Sequence, residues 1–304
     1  MLGLLGALPG AIAQGIIWGI MAIGVYLTYK ILDIADLTVD GSICTGAAVF
    51  VLLFASGVSP WVATICSFLA GAVTGAITGF LHIMLGIPAI LAGILTQMSL
   101  WSINLMIQGG KANSPIPYAM LDRILVTPIS ILRALLTLAV FAAVMIAALY
   151  LFFGTELGCS IRATGSNPIM SRAQGINTNM TKLIGLSLSN AIVAFAGALL
   201  CQYQGASDIN MGRGAVVIGL AAVVIGEAIV RRFSQNFAVH LLGVVLGAVV
   251  YFVVYQIVVF LGLNTNFLKL LSAAVVAVFL GVPYLKRKYL PHKLATRRDP
   301  SCSK

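Results

Sequence analysis

The chain has 304 residues, of which 60% are hydrophobic and only 9% charged, with a mean hydropathy of +1.06 and a formal net charge of +10. That much apolar surface exceeds what a soluble core could bury, and that little charge could not solvate a globule. A soluble domain is therefore excluded, and a chain embedded in lipid is expected.

Apolar runs long enough to cross roughly 30 Å of hydrocarbon as helix follow one another near residues 10–30, 42–57, 60–81, 88–108, 129–153, 183–204, 215–230, 236–260 and 267–285. They are continuously apolar rather than alternating, so helices and not a barrel are expected. The expected fold is an all-α polytopic membrane helix bundle of about nine transmembrane helices. Residues 1–285 form the membrane domain and 286–304 a basic tail. Residues 1–29 have no basic stretch ahead of the apolar run and no break resembling a cleavage site, so they read as the first span. A cytoplasmic carboxyl terminus puts Lys30, Arg162, Arg172, Lys182, Arg231, Arg232 and the basic tail inside, against Lys111, Arg123, Arg133, Arg213 and Lys269 outside. The positive-inside rule favours that orientation, chiefly through the tail, and it leaves the amino terminus outside. The net positive charge sits at span ends and in the tail, which does not suggest nucleic-acid binding.

The first interruption reads "LDIADLTVDGS", residues 32–42, and holds Asp33, Asp36 and Asp40 in a chain with eight acidic side chains. In the topology above it is a cytoplasmic turn, with Asp40-Gly41-Ser42 as turn and cap for the following helix and Asp36 and Asp40 near the solute exit. Further along, Gly71, Gly75 and Gly79 recur every four residues, which places them on one helix face where another backbone can approach. The run over 88–108 is the most polar of the spans. Its Gln97, Trp101, Asn104 and Gln108 share a face, and polar side chains in lipid turn to the bundle interior or a water-filled pathway. "QGGKAN" lacks the first glycine and the Ser/Thr of a phosphate loop, so no ATPase motif is present and no catalytic residue is assigned.

The longest hydrophilic stretch inside the bundle is residues 154–182, "GTELGCSIRATGSNPIMSRAQGINTNMTK". Asn167 before Pro168 is a helix start, Gly175 a helix stop, and Asn177 or Asn179 starts the next span. A helix of about two turns from Pro168 to Gln174 suits docking of a soluble partner. The five cysteines show no paired spacing, and His82, His240 and His292 no ligand spacing, so no metal or cofactor is expected.

"RATGSNPIMSRAQGI" resembles the cytoplasmic coupling segment of ABC-transporter permeases of the branched-chain amino acid and ribose class, with Arg162, Ala163, Gly165, Asn167, Ala173, Gly175 and Ile176 in the pattern. Ser171 and Arg172 stand where small residues are usual. "DLTVDGS", "IPAILAGILTQMSLWSINLMIQGG" and "MGRGAVVIGLAAVVIGE" resemble three more stretches of that class in the same order, and together they cover about residues 15 to 290. Ala92-Gly93-Ile94 and the extra Asp40 depart from the usual pattern and are similar to the branch that works with receptors for tryptophan-like amino acids. The resemblance implies a permease paired with a second copy or close relative, two ATP-hydrolysing subunits on the cytoplasmic face, and an extracytoplasmic solute-binding protein. It implies coupling through Arg162, Gly165, Asn167, Pro168, Arg172 and Gly175. The competing reading is an ion-gradient-driven transporter using Asp36, Asp40 and Glu227, which would need carboxylates at mid-span. Sugar or nucleoside remains open beside amino acid as the solute.

Overall fold

The computed structural model describes residues 2–127, 130–230 and 236–260, with the isolated positions 277 and 281. α1 (Leu2–Tyr26) runs on into a π-helical turn (Leu27–Ile31), followed by α2 (Val39–Ala55), α3 (Pro60–Ile83) and α4 (Ala89–Ile107). After β1 (Asn113–Pro115) and a 3-10 turn (Tyr118–Arg123) come α5 (Ile131–Phe153), α6 (Glu156–Ser166), α7 (Pro168–Ala173) and α8 (Thr178–Gln204). β2 (Ala206–Asp208), α9 (Ala215–Val230) and α10 (Phe237–Phe260) complete the described chain. Eight of the expected spans are therefore helices. The ninth, at 267–285, falls outside the described residues apart from 277 and 281, as do the tail, Arg231 and Arg232.

Six of these helices are long and apolar enough to cross a membrane, while α2 and α9 have only 17 and 16 residues. The bundle is built around α8, with 72% of its span buried, whereas α5, at 17%, turns most of its surface outward. Lipid offers no hydrophobic drive between helices, so close approach depends on small side chains. The Gly71, Gly75, Gly79 stripe of α3 supplies it: a Cβ on Gly71 would strike the Asn190 carbonyl of α8, and one on Gly75 the Leu186 carbonyl. Gly46 of α2 faces the Ala194 carbonyl in the same way.

The architecture is all-helical as expected, with one small two-stranded pair added. β1 pairs antiparallel with β2, Asn113 opposite Asp208 and Pro115 opposite Ala206. Three-residue strands without alternating hydrophobicity leave no pattern in a sequence. The pairing puts the loop after α4 and the loop after α8 at one end of the bundle, opposite α6 and α7.

Candidate solute cavity and coupling segment

Why α2 and α9 are short follows from the depth at which they begin. α8 spans about 40 Å at 1.5 Å per residue, and Ser42, in the first turn of α2, donates to Asn190 Oδ1 halfway along it at 2.7 Å. α2 therefore starts in the middle of the bundle and runs only to one end. Gly214 and Val216, at the start of α9, donate to Asp40 at 3.0 and 2.9 Å, so α9 starts at the same depth. From there α9 descends toward the other end, where Glu227 meets Lys30 at 3.4 Å. Two half-length helices thus face each other amino end to amino end, each reached by a stretch of non-helical backbone.

The stretch 32–42 is accordingly no exposed turn, and its three aspartates do three different things. Asp33 has φ 56°, the one non-glycine with positive φ among the described residues, and reverses the chain at the end of the π-helical turn; Asp is one of the few side chains that tolerates this region. Asp36 is buried, accepts from Thr38 N at 2.8 Å and from Asn190 Nδ2 at 2.7 Å, and braces the returning strand against α8. Thr38 Oγ1 and Ser42 Oγ each lie 2.8 Å from a threonine of α3, Thr78 and Thr74. Non-helical backbone is tolerated at membrane depth when protein surrounds it and its polar groups find partners. Asp40 was expected in the turn that caps α2; it lies in the first turn of α2 and instead caps α9 from across the gap, where a carboxylate also opposes the positive end of the helix dipole.

Beside Asp40 lies a cavity of about 240 Å³ lined by Gly41, Cys44, Gln97, Met98, Trp101, Asn104, Ile209 and Arg213. Gln97, Trp101, Asn104 and Asp40, four of the six residues expected on a solute pathway, meet in it. Asp36 lies behind it in the brace, and Gln108 lies beyond it, donating to Ser207 Oγ at 2.8 Å. Asn104 is fully buried, yet neither its amide nitrogen nor its amide oxygen has a partner. A buried polar group left unpaired costs about 1–3 kcal/mol. Arg213, placed outside by sequence, belongs to the turn that enters the bundle ahead of α9; it is exposed, and it and Asp40 both line the cavity without forming an ion pair. Nothing in the sequence near Arg213 signals this, because the turn acquires its depth only by contact with α2: Gly212 N donates to Cys44 Sγ, which itself donates to the Ile209 carbonyl.

At the opposite end, residues 154–182 form two short helices. Thr155 caps α6, accepting from Gly158 N at 3.4 Å. Asn167 caps α7, accepting from Ile169 N and Met170 N at 3.1 and 3.0 Å, with Pro168 as its first residue. α7 ends at Ala173, and Gly175 follows with φ 84° and open space where a Cβ would sit. Asn177, and not Asn179, caps α8. Gly165 lies inside α6, where its missing side chain admits the Ile31 carbonyl. Arg162 stacks its guanidinium over Phe153 and Phe237, 5.1 and 4.4 Å from the ring centres, tying α6 to α5 and α10. Arg172 Nε donates to Thr178 Oγ1 at 2.7 Å. Large apolar side chains of the segment stand exposed, Ile169 at 82% and Met170 at 59%, and residue types alone did not single them out.

Residues 8–280 match the family described as the branched-chain amino acid transport system permease component. The chain belongs to this family of ABC permeases. It is 37% identical over 268 residues to the tyrosine transport system permease protein of Clostridioides difficile, covering 88% of each chain. More distant family members include the ribose import permease of Escherichia coli, 26% identical over 214 residues (68% of this chain, 64% of that one), and an autoinducer 2 import system permease of Salmonella typhi, 27% identical over 230 residues (75% and 64%). No solved structure matches the chain significantly. The ABC permease is thus a multi-pass protein of the cell membrane. Asp36 and Asp40 do stand at mid-depth, while Glu227 lies at the far end of α9 beside Lys30, so the positions of the carboxylates do not by themselves separate it from a gradient-driven carrier; family membership does.

Proposed function

We propose that this chain is the membrane subunit of an ATP-driven importer for a small solute, an amino acid. Two copies, or one copy with a close relative, pair in the membrane. Two ATP-hydrolysing subunits dock on the face bearing α6 and α7, which is cytoplasmic, and an extracytoplasmic binding protein delivers the solute at the end bearing the β-pair. The named substrate of the Clostridioides difficile relative supports an amino acid over a sugar or nucleoside.

One observation carries the mechanism: Gly165 of the docking segment packs on the Ile31 carbonyl, the last residue before the chain turns back toward the cavity. Ile169 and Met170 are the apolar tips a motor subunit would grip, and Asn167, Pro168 and Gly175 fix the short helix that carries them. A motor that closes on α7 moves α6, and α6 moves Ile31 and Leu32. The returning strand with Asp36 and Asp40 then changes the access of the cavity, with Gln97, Trp101 and Asn104 along the solute route. The two access states need comparable energy, each favoured by its own ligands.

Reconstitution with its ATPase and binding-protein partners should give ATP-dependent uptake of labelled L-tyrosine or another amino acid. Arg162→Glu or Gly175→Leu should leave the chain inserted while the ATPase no longer copurifies or its hydrolysis no longer drives uptake. Uptake of ribose or a nucleoside in place of amino acids would replace the solute assignment. Uptake that follows an ion gradient without ATP would overturn the importer reading.

A further inference from the structure

Four features of the mid-depth cavity belong together. It is small, about 240 Å³, below the common range for drug-sized ligands and suited to a metabolite of few heavy atoms. Asp40, half-buried, and Arg213, exposed, both line it and do not pair with each other. It contains the fully buried Asn104 amide with both its donor and its acceptor unused. Its remaining wall includes Trp101 and Met98, both exposed, which offer a flat ring and a deformable thioether.

We propose that the permease itself reads the two charged groups of a zwitterionic amino acid: Arg213 receives the α-carboxylate, Asp40 the α-ammonium, and Asn104 completes the hydrogen bonding of whichever group lies next to α4. The inference rests on the amino-acid importer reading and deepens it, since it puts selection inside the membrane subunit as well as in the binding protein. Separation of the two charges is the physical basis. Arg213 and Asp40 line the same cavity without forming an ion pair, and a solute with opposite charges on one carbon can bridge groups that do not reach each other. Asp40 keeps both oxygens on the α9 backbone, so it is held in place before solute arrives. Each carboxylate oxygen retains lone-pair capacity for an ammonium. Removing either charge from the solute leaves one wall charge without its partner, which sites with buried polar groups reject strongly.

The test uses the full-length chain in nanodiscs with the binding protein omitted, so that selection by the receptor cannot contribute. Met98→Cys places a reporter on the cavity wall, and its alkylation by a maleimide is followed by mass spectrometry of the labelled peptide. The probes are L-tyrosine, tyramine, which lacks the carboxylate, and hydroxyphenylpropionate, which lacks the ammonium; L-leucine with its amine and acid analogues forms a second set. Protection by the amino acids is expected at concentrations about tenfold or more below those needed for either analogue. Arg213→Gln should erase the advantage over the amine and keep the advantage over the acid. Asp40→Asn should do the reverse; if its loss of an α9 cap prevents folding, the Arg213→Gln arm alone decides. Equal protection by all three probes, protection by none, or an Arg213→Gln variant that weakens all three alike would overturn the proposal. ATP-driven amino-acid uptake by the wild-type complex in that case would leave the importer reading standing.

Discussion

Two short polar interruptions of an apolar chain, residues 32–40 and residues 154–182, turn out to be opposite kinds of structure. The second is built from local parts: Thr155, Asn167 and Asn177 each cap the helix that starts beside them, and Gly175 ends one. The first has almost no local support. Apart from the Asp36 bond to Thr38 N–H, the side chains of Asp36, Thr38 and Asp40 are met by α3, α8 and α9, at separations of 40 to 176 residues in the chain. A segment made of local motifs can be exposed and grip a partner, whereas one that depends on its neighbours responds when they move.

The largest expected effect is at the contact that joins the two. Gly165→Leu would drive a side chain into the Ile31 backbone, which cannot swing aside as a side chain could, at roughly 3 kcal/mol or more. Thermal unfolding in detergent should fall sharply, and any surviving protein should bind ATPase without ATP-driven uptake. Full uptake by that variant would mean the two segments work independently.

Next, Asp36→Ala strips partners from Thr38 N–H and from the buried Asn190 amide, so a loss of about 2–4 kcal/mol is expected. Asp36→Asn should lose less, because the amide oxygen can still accept one of the two bonds, and its transport should drop further than its stability. A stability scan of both variants separates brace from pathway: equal, small losses would return Asp36 to the role of a solvated helix end.

In the opposite direction, Asn104→Leu should raise stability by about 1–2 kcal/mol, since it removes an unpaired buried amide, while uptake falls. Stability lost together with uptake would show that the amide already has a structural partner.

For the locally built segment the effects are smaller. Gly175→Ala has room for its methyl but must hold a positive φ, at about 1 kcal/mol, with ATPase copurification as the readout. Smallest of all, Lys30→Gln breaks a half-exposed ion pair with Glu227 and should cost less than about 1 kcal/mol, a difference that high salt should erase. A larger, salt-resistant loss would make that pair part of the coupling path.

These contrasts also mark how far the chain could be read. Eight apolar runs became helices because lipid leaves the backbone no other way to satisfy its hydrogen bonds, a rule that needs no knowledge of neighbours. The caps of α7 and α8 were legible for the same reason, each being a local demand met by a local residue, and the glycines of α3 were legible by their spacing, although the α8 carbonyls they admit were not. Gln97, Trp101 and Asn104 were found because helical spacing puts them on one face. Asp36 was misplaced and Arg213 missed because apolar length reports that a helix exists, without reporting the depth at which it begins.

The sequence by itself determined that this is a helical membrane protein, where its helices lie, which short segment is pre-formed by caps, and, through collinear motifs, its family. Only the tertiary structure decided that α2 and α9 begin in mid-bundle, that Asp40 caps a helix 174 residues away, and that Arg213 shares a cavity with it. The physical reason is the range of the interactions involved. Hydropathy, caps and helix periodicity act over one or two turns and are written in neighbouring residues, whereas depth is set by which carbonyl a glycine admits and which amide a distant carboxylate receives.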